Sequence, residues 1–179
     1  MGSLFMIPRI LMGIIAVVDT LFVYKIAERR YNSTIAFIAS VLFAVMPLTW
    51  MTRRFLLEPT QLPFMLASIL LATYISNDIA KTNNSSRNRY ISLLSGIALG
   101  IAIFTKIPVF TMIPVIAYLV YLNSQKDLRI LMLWFIPVIF IPLLWPMYAL
   151  YNNEFDMFLD VTYLLRTRFW ITIMITIHF

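Results

Sequence analysis

The chain has 179 residues, of which 61% are hydrophobic and 12% charged, with a mean hydropathy of +0.87. That charged share is about half the usual value for a soluble domain. No water-soluble fold of this length could hide so much apolar surface, so the composition indicates an integral membrane protein. The net charge of +6 lies in short loops beside apolar runs, which is how Lys and Arg set membrane topology and argues against a nucleic-acid partner.

The first apolar run covers roughly Ile7 to Ala27 and closes on Lys25, Glu28, Arg29 and Arg30. It lacks a small-residue cleavage site, so it reads as a spanning helix rather than a signal peptide. Run two covers roughly Thr34 to Trp50, and run three Phe55 to Ser76, with Pro59 and Pro63 near its start, where proline suits a first helical turn. The polar stretch Asn77 to Arg89 reads as a loop. Run four (Tyr90 to Thr105) and run five (Pro108 to Leu122) are separated by Lys106, and Asn123 to Arg129 forms a further polar loop. Run six, Ile130 to Tyr151, contains Pro137, Pro142 and Pro146, which predict kinks or a break near Pro142. Asn152 to Arg168 mixes Glu154, Asp156 and Asp160 with Arg166 and Arg168. Run seven starts at Phe169 and stops at Phe179, too short to span a bilayer.

The runs are continuous rather than alternating, so helices are expected and a barrel is not. The predicted fold is all-α: a polytopic helical membrane protein with about six transmembrane helices and a truncated seventh, in one transmembrane domain over residues 1–179. Placing the Lys25–Arg30 loop in the cytoplasm puts eight basic residues on that side and leaves six opposite: Arg9, Arg53, Arg54, Lys106, Arg166 and Arg168. This bias sets the expected orientation.

The segment Arg53-Arg54-Phe55-Leu56-Leu57-Glu58-Pro59 therefore faces away from the cytoplasm. Arg54 and Glu58 are four apart and share a helix face; they form either an interfacial ion pair or a site where Arg53 or Arg54 binds an anion while Glu58 orients it. Arginine forks suit phosphate. Lys106 marks a tight hairpin or holds a phosphate at the membrane surface, its long stem able to snorkel. Asp19, inside run one, should face the bundle rather than lipid, as a buried hydrogen-bonding residue or a functional acid, with the structural role favoured. Gly96-x-x-x-Gly100 permits close helix contact, expected within the bundle. Asn32-Ser33-Thr34, Asn83-Asn84-Ser85 and Asn84-Ser85-Ser86 match the glycosylation pattern but fall on the cytoplasmic side. The absence of cysteine excludes disulfides and thiol chemistry. The sequence carries no metal cluster, nucleophile–base set or Gly-rich phosphate loop, and no cofactor is identified. His178 is given no role.

Several motifs follow one another in a characteristic order: Arg9 opening a helix, Tyr24-Lys25-Ile26-Ala27-Glu28-Arg29-Arg30-Tyr31, Ile35-Ala36-Phe37-Ile38-Ala39, Ala44-Val45-Met46-Pro47 and Arg54-Phe55-Leu56-Leu57-Glu58. Leu94-Ser95-Gly96-Ile97-Ala98-Leu99-Gly100-Ile101-Ala102 then closes on Thr105-Lys106. From Arg9 to Lys106 this order resembles the multi-spanning glycosyltransferases with the C-type fold, above all the protein O-mannosyltransferases and bacterial aminoarabinose transferases of family 39. The resemblance implies transfer of a sugar from a polyprenyl-phosphate carrier to a protein or lipid acceptor outside the cytoplasm, at the plasma membrane. It implies a donor-phosphate site from Lys106, Arg54, Arg53 and Glu58. It also implies a catalytic Asp in a loop after a first helix, upstream of the part that begins here; Asp19 lies within a helix and does not fill that role. On that ground the chain is expected to be a fragment of a larger transferase, inactive alone. The rival class is a small transporter or membrane scaffold subunit. A transporter would carry polar residues at mid-membrane on several helices, whereas Asp19 stands nearly alone at depth.

Overall fold

A computed structural model describes residues 6–46, 58–75, 84–124 and 126–152. The elements are α1 (Met6–Arg30), α2 (Ser33–Val45), α3 (Glu58–Tyr74), α4 (Asn84–Thr105), a 3-10 helix (Ile107–Met112), α5 (Ile113–Asn123) and α6 (Leu128–Tyr151). No strand occurs among the described residues, so the all-α expectation holds. Among the described residues, three segments are long and apolar enough to cross a membrane: Ile10–Arg30, Ser86–Thr105 and Leu128–Tyr151. Ser33–Val45, Thr60–Tyr74 and Ile107–Asn123 are shorter apolar helices. Run seven and Asn153 to Arg168 lie outside the described residues.

Contacts divide the chain into two compact units, one ending at Pro142 and the other beginning at Leu143. In the second, the helical stretch exposes Leu143, Leu144, Trp145, Met147 and Tyr148. In the first, α3 is the hub, packing against α1, α4 and α5, while α1 and α2 form a hairpin. Asn32 caps α2, its Oδ1 accepting from the Ile35 amide at 2.9 Å, which satisfies one otherwise unpaired N–H of the first turn.

Two side chains close the far end of α3. Arg29 Nε donates to the Thr73 carbonyl at 3.0 Å, with its guanidinium 4.4 Å from the centre of the Tyr74 ring. Asn123 Nδ2 donates to the Ala72 carbonyl at 2.8 Å. The last carbonyls of a helix have no intrahelical donor, and a cation there also meets the negative end of the helix dipole. These bonds gather the C-termini of α1, α3 and α5 at one end of the unit. Ser92 Oγ donates to the Ile130 carbonyl at 3.1 Å, which brings the starts of α4 and α6 to the same end. The basic groups Lys25–Arg30, Arg87, Arg89, Lys126 and Arg129 therefore share one end of the bundle, as the loop count expected.

Mid-bundle, α3, α4 and α6 meet in a buried polar knot. Ser68 Oγ donates to the Ser95 carbonyl and Ser95 Oγ to the Ser68 carbonyl, each at 2.9 Å. Trp134 Nε1 donates to Ser95 Oγ at 3.3 Å. Around the knot lie Leu99, Ile116, Val120, Trp134 and Val138. In lipid the apolar effect does little to hold helices together, so close packing and such bonds carry association. The two hydroxyls also meet at 3.1 Å; a Ser68→Ala/Ser95→Ala double-mutant cycle, read by unfolding in micelles, is expected to give a coupling of about 0.6 kcal/mol and no more than about 1.7, and zero coupling would show that this hydroxyl pair adds nothing.

The structure differs from the sequence reading in three places. The polar stretch Asn77–Arg89 is not all loop: α4 begins at Asn84. Asn and Ser suit first-turn positions, where they can meet free amide groups, and Asn88 is buried. Run five does not begin as an α-helix but as a 3-10 helix over Ile107–Met112. Of the alternatives expected near Pro142, kinks or a break, the break does not occur: α6 runs from Leu128 to Tyr151 with its three prolines inside it. Each proline removes one backbone donor, a loss that neighbouring groups in a membrane bundle can accommodate.

Candidate functional site

Of the four residues expected at the outer boundary, two can be located. Arg53 and Arg54 lie outside the described residues, so their pairing with Glu58 lies there too. Glu58 is the first residue of α3. Lys106 follows the last residue of α4 and is half-buried. Its amide donates to the Ala102 carbonyl at 3.1 Å, closing α4, and its carbonyl accepts from the Val109 amide at 3.2 Å, opening the 3-10 helix. Its extended backbone (φ −153°, ψ 112°) makes the joint between the two, and Pro108 sits in the first turn of the 3-10 helix, where its missing amide leaves no bond unmade. The sequence placed Lys106 between two helices, and the structure agrees.

Helical register relates Lys106 to Glu58. The reciprocal bonds of Ser68 and Ser95 fix antiparallel α3 and α4 side by side. At about 1.5 Å per residue, Glu58 begins α3 about 15 Å beyond Ser68, and Lys106 lies about 16 Å beyond Ser95. Both therefore stand at one level, at the end opposite the Arg29 and Asn123 caps. Among the described residues, the charges at that end are Arg9, Glu58 and Lys106; the other basic residues and the Lys25–Glu28 pair (2.7 Å) lie at the opposite end.

Gly96 and Gly100 lie where α4 meets α6. A Cβ on Gly96 would run into the Trp134 carbonyl and approach Pro137 Cγ to 2.7 Å; one on Gly100 would come within 2.8 Å of the Pro137 carbonyl. The motif works within the bundle, as expected.

Asp19 is buried at the centre of the packed stripe of α1, as expected, but its Oδ1 meets no donor among the described residues. The expected hydrogen-bonding role is therefore not found for this oxygen. Asp19→Leu should favour membrane insertion by about 3 kcal/mol on insertion scales and raise the melting temperature in micelles. A fall in melting temperature would show that the carboxylate makes a stabilising contact.

Sequence reasoning missed Gln61, whose Oε1 is buried and meets no donor among the described residues, and the serine knot. The visible signal for the knot was small residues on one face of α4: Ser92, Ser95 and Gly96.

Helices long enough to span, lipid-type exposure of Leu, Ile and Phe on α2 and α6, and a lysine at the boundary define an all-α integral membrane protein. The family model described as dolichyl-phosphate-mannose-protein mannosyltransferase matches residues 3–150. The chain belongs to that family, which is one of mannosyltransferase-type glycosyltransferases. No match was found among curated proteins or among solved structures.

Proposed function

We propose that the protein transfers a sugar from a polyprenyl-phosphate donor to a protein or lipid acceptor on the non-cytoplasmic side of the plasma membrane, with mannose the sugar that the family description suggests. Lys106, Arg54 and Arg53 hold the donor phosphate in this reading, with Glu58 orienting the arginines. The observation that supports it best is the common level of Lys106 and Glu58 at the end of the bundle opposite the basic loops. An ammonium group at that boundary neutralises a phosphate while the carrier's apolar tail stays in lipid. A charge-assisted bond of this kind is stronger than a neutral one.

The test is an assay on membranes that express the complete gene product. Labelled sugar supplied as polyprenyl-phosphate mannose should appear in protein or lipid. Label confined to the donor in both fractions overturns the proposal.

A further inference from the structure

The turn that joins α5 to α6 holds a lysine in a backbone conformation that side chains disfavour. Lys126 has φ 66°, a left-handed setting that glycine takes freely and a residue with a Cβ rarely adopts. No other non-glycine among the described residues has a positive φ. Lys126 is exposed, and so are two further cations beside it. Arg129 stands in the first turn of α6. Arg89 comes from α4. Ser92 Oγ bonds the Ile130 carbonyl at 3.1 Å and Gly96 lies against Trp134, so α4 and α6 run side by side in the same direction. Arg89 is three residues before Ser92 and seven before Gly96. It therefore lies on the face of α4 that meets α6, level with the Lys126–Asp127 turn. Asp127 is the acid of this cluster, and its Oδ1 accepts from the Arg129 amide at 2.9 Å. None of the three cationic side chains pairs with an acid among the described residues.

Beyond Arg129 an apolar stripe runs along α6. Met132, Ile136, Ile139 and Phe140 are all exposed and follow Arg129 at helical spacing, so they share its face. Arg129 to Phe140 spans about 16 Å at about 1.5 Å per residue, half of the ~30 Å hydrocarbon core and so the depth of one leaflet. We propose that this face binds an anionic phospholipid of the leaflet at the basic end of the bundle. Lys126, Arg129 and Arg89 hold its phosphate, and one acyl chain lies along the stripe. The chemistry selects the ligand. A soluble phosphate would meet the cations and leave the stripe unused. A zwitterionic lipid would cover the stripe but bring its own cation against the other three. An anionic lipid matches both, and basic pockets between helices on the cytoplasmic side suit such head groups. The lysine at φ 66° then has a reason to be there, because glycine would relieve the backbone and lose a cation. The site lies at the end of the bundle opposite Lys106 and stands independently of the sugar-transfer reading.

The experiment titrates the complete protein in micelles with fluorescent phosphatidylglycerol and with phosphatidylcholine carrying the same chains. Phosphatidylglycerol should bind more tightly. Arg129→Gln should weaken it about fivefold, the equivalent of one cation at a lipid surface, and leave phosphatidylcholine unchanged. Lys126→Gly removes a second cation and relieves the backbone. It should weaken phosphatidylglycerol by a similar factor while melting no lower than the parent, which separates lost binding from lost folding. Arg30→Gln removes a cation at the same end, on α1, and should change neither lipid. Glycerol phosphate, a head group without a tail, should not displace the lipid at millimolar concentration. The site is overturned by equal affinity for the two lipids, by phosphatidylglycerol binding that neither Arg129→Gln nor Lys126→Gly alters, or by an equal loss in Arg30→Gln. Displacement by glycerol phosphate would assign the cations to a soluble phosphate and overturn the lipid.

Discussion

Replacing Lys106 with alanine in the complete protein should reduce sugar transfer by about 100- to 1000-fold, the range seen when one preorganised charge-stabilising donor is removed from an active site. Membrane insertion and helix content should stay the same. Lys106 is half-buried at a helix boundary, so alanine there removes a charge from near the apolar region rather than adding a polar group to it. The end of α4 should also survive, because the Lys106 backbone amide, not its side chain, closes the helix on the Ala102 carbonyl. Lys106→Arg keeps the charge but changes a point cation into a planar fork, so it should retain part of the activity. Transfer assays on membranes with matched protein levels would check this. Normal turnover in Lys106→Ala would refute the phosphate role.

The largest stability effect should come from Gly96. Gly96→Ala places a methyl against the Trp134 carbonyl and the Pro137 ring. The first obstacle is backbone and cannot rotate away, so α6 must move off α4. Overpacking of this kind typically costs about 1–3 kcal/mol, and Gly96→Leu should exceed that range. Gly100→Ala, facing the Pro137 carbonyl and Ile141, should behave similarly. Gly13 provides the control: nothing lies within 4 Å of a Cβ there. Gly13→Ala should therefore stabilise α1 by up to about 1 kcal/mol, from helix propensity alone. Thermal unfolding in micelles would compare the three. A Gly96→Ala protein as stable as Gly13→Ala would mean that α4 and α6 do not pack as described. Pro137→Ala should rescue Gly96→Ala only in part, since it leaves the Trp134 carbonyl in place.

The sequence by itself determined the membrane class, the helical fold and the joint at Lys106. It also anticipated the close contact at Gly96 and Gly100 and the gathering of basic loops at one end. These follow from properties that each residue carries alone: transfer energy, the missing amide of proline, the small volume of glycine. Family membership was legible too, through motif order from Arg9 to Lys106. Tertiary structure alone decided which helices meet. Nothing local to Ser68 names Ser95 as its partner, and nothing near residue 73 says that Arg29 will close α3. Helices that are all apolar look alike to lipid. Their pairing depends instead on close backbone approach and on buried hydrogen bonds between residues far apart in sequence.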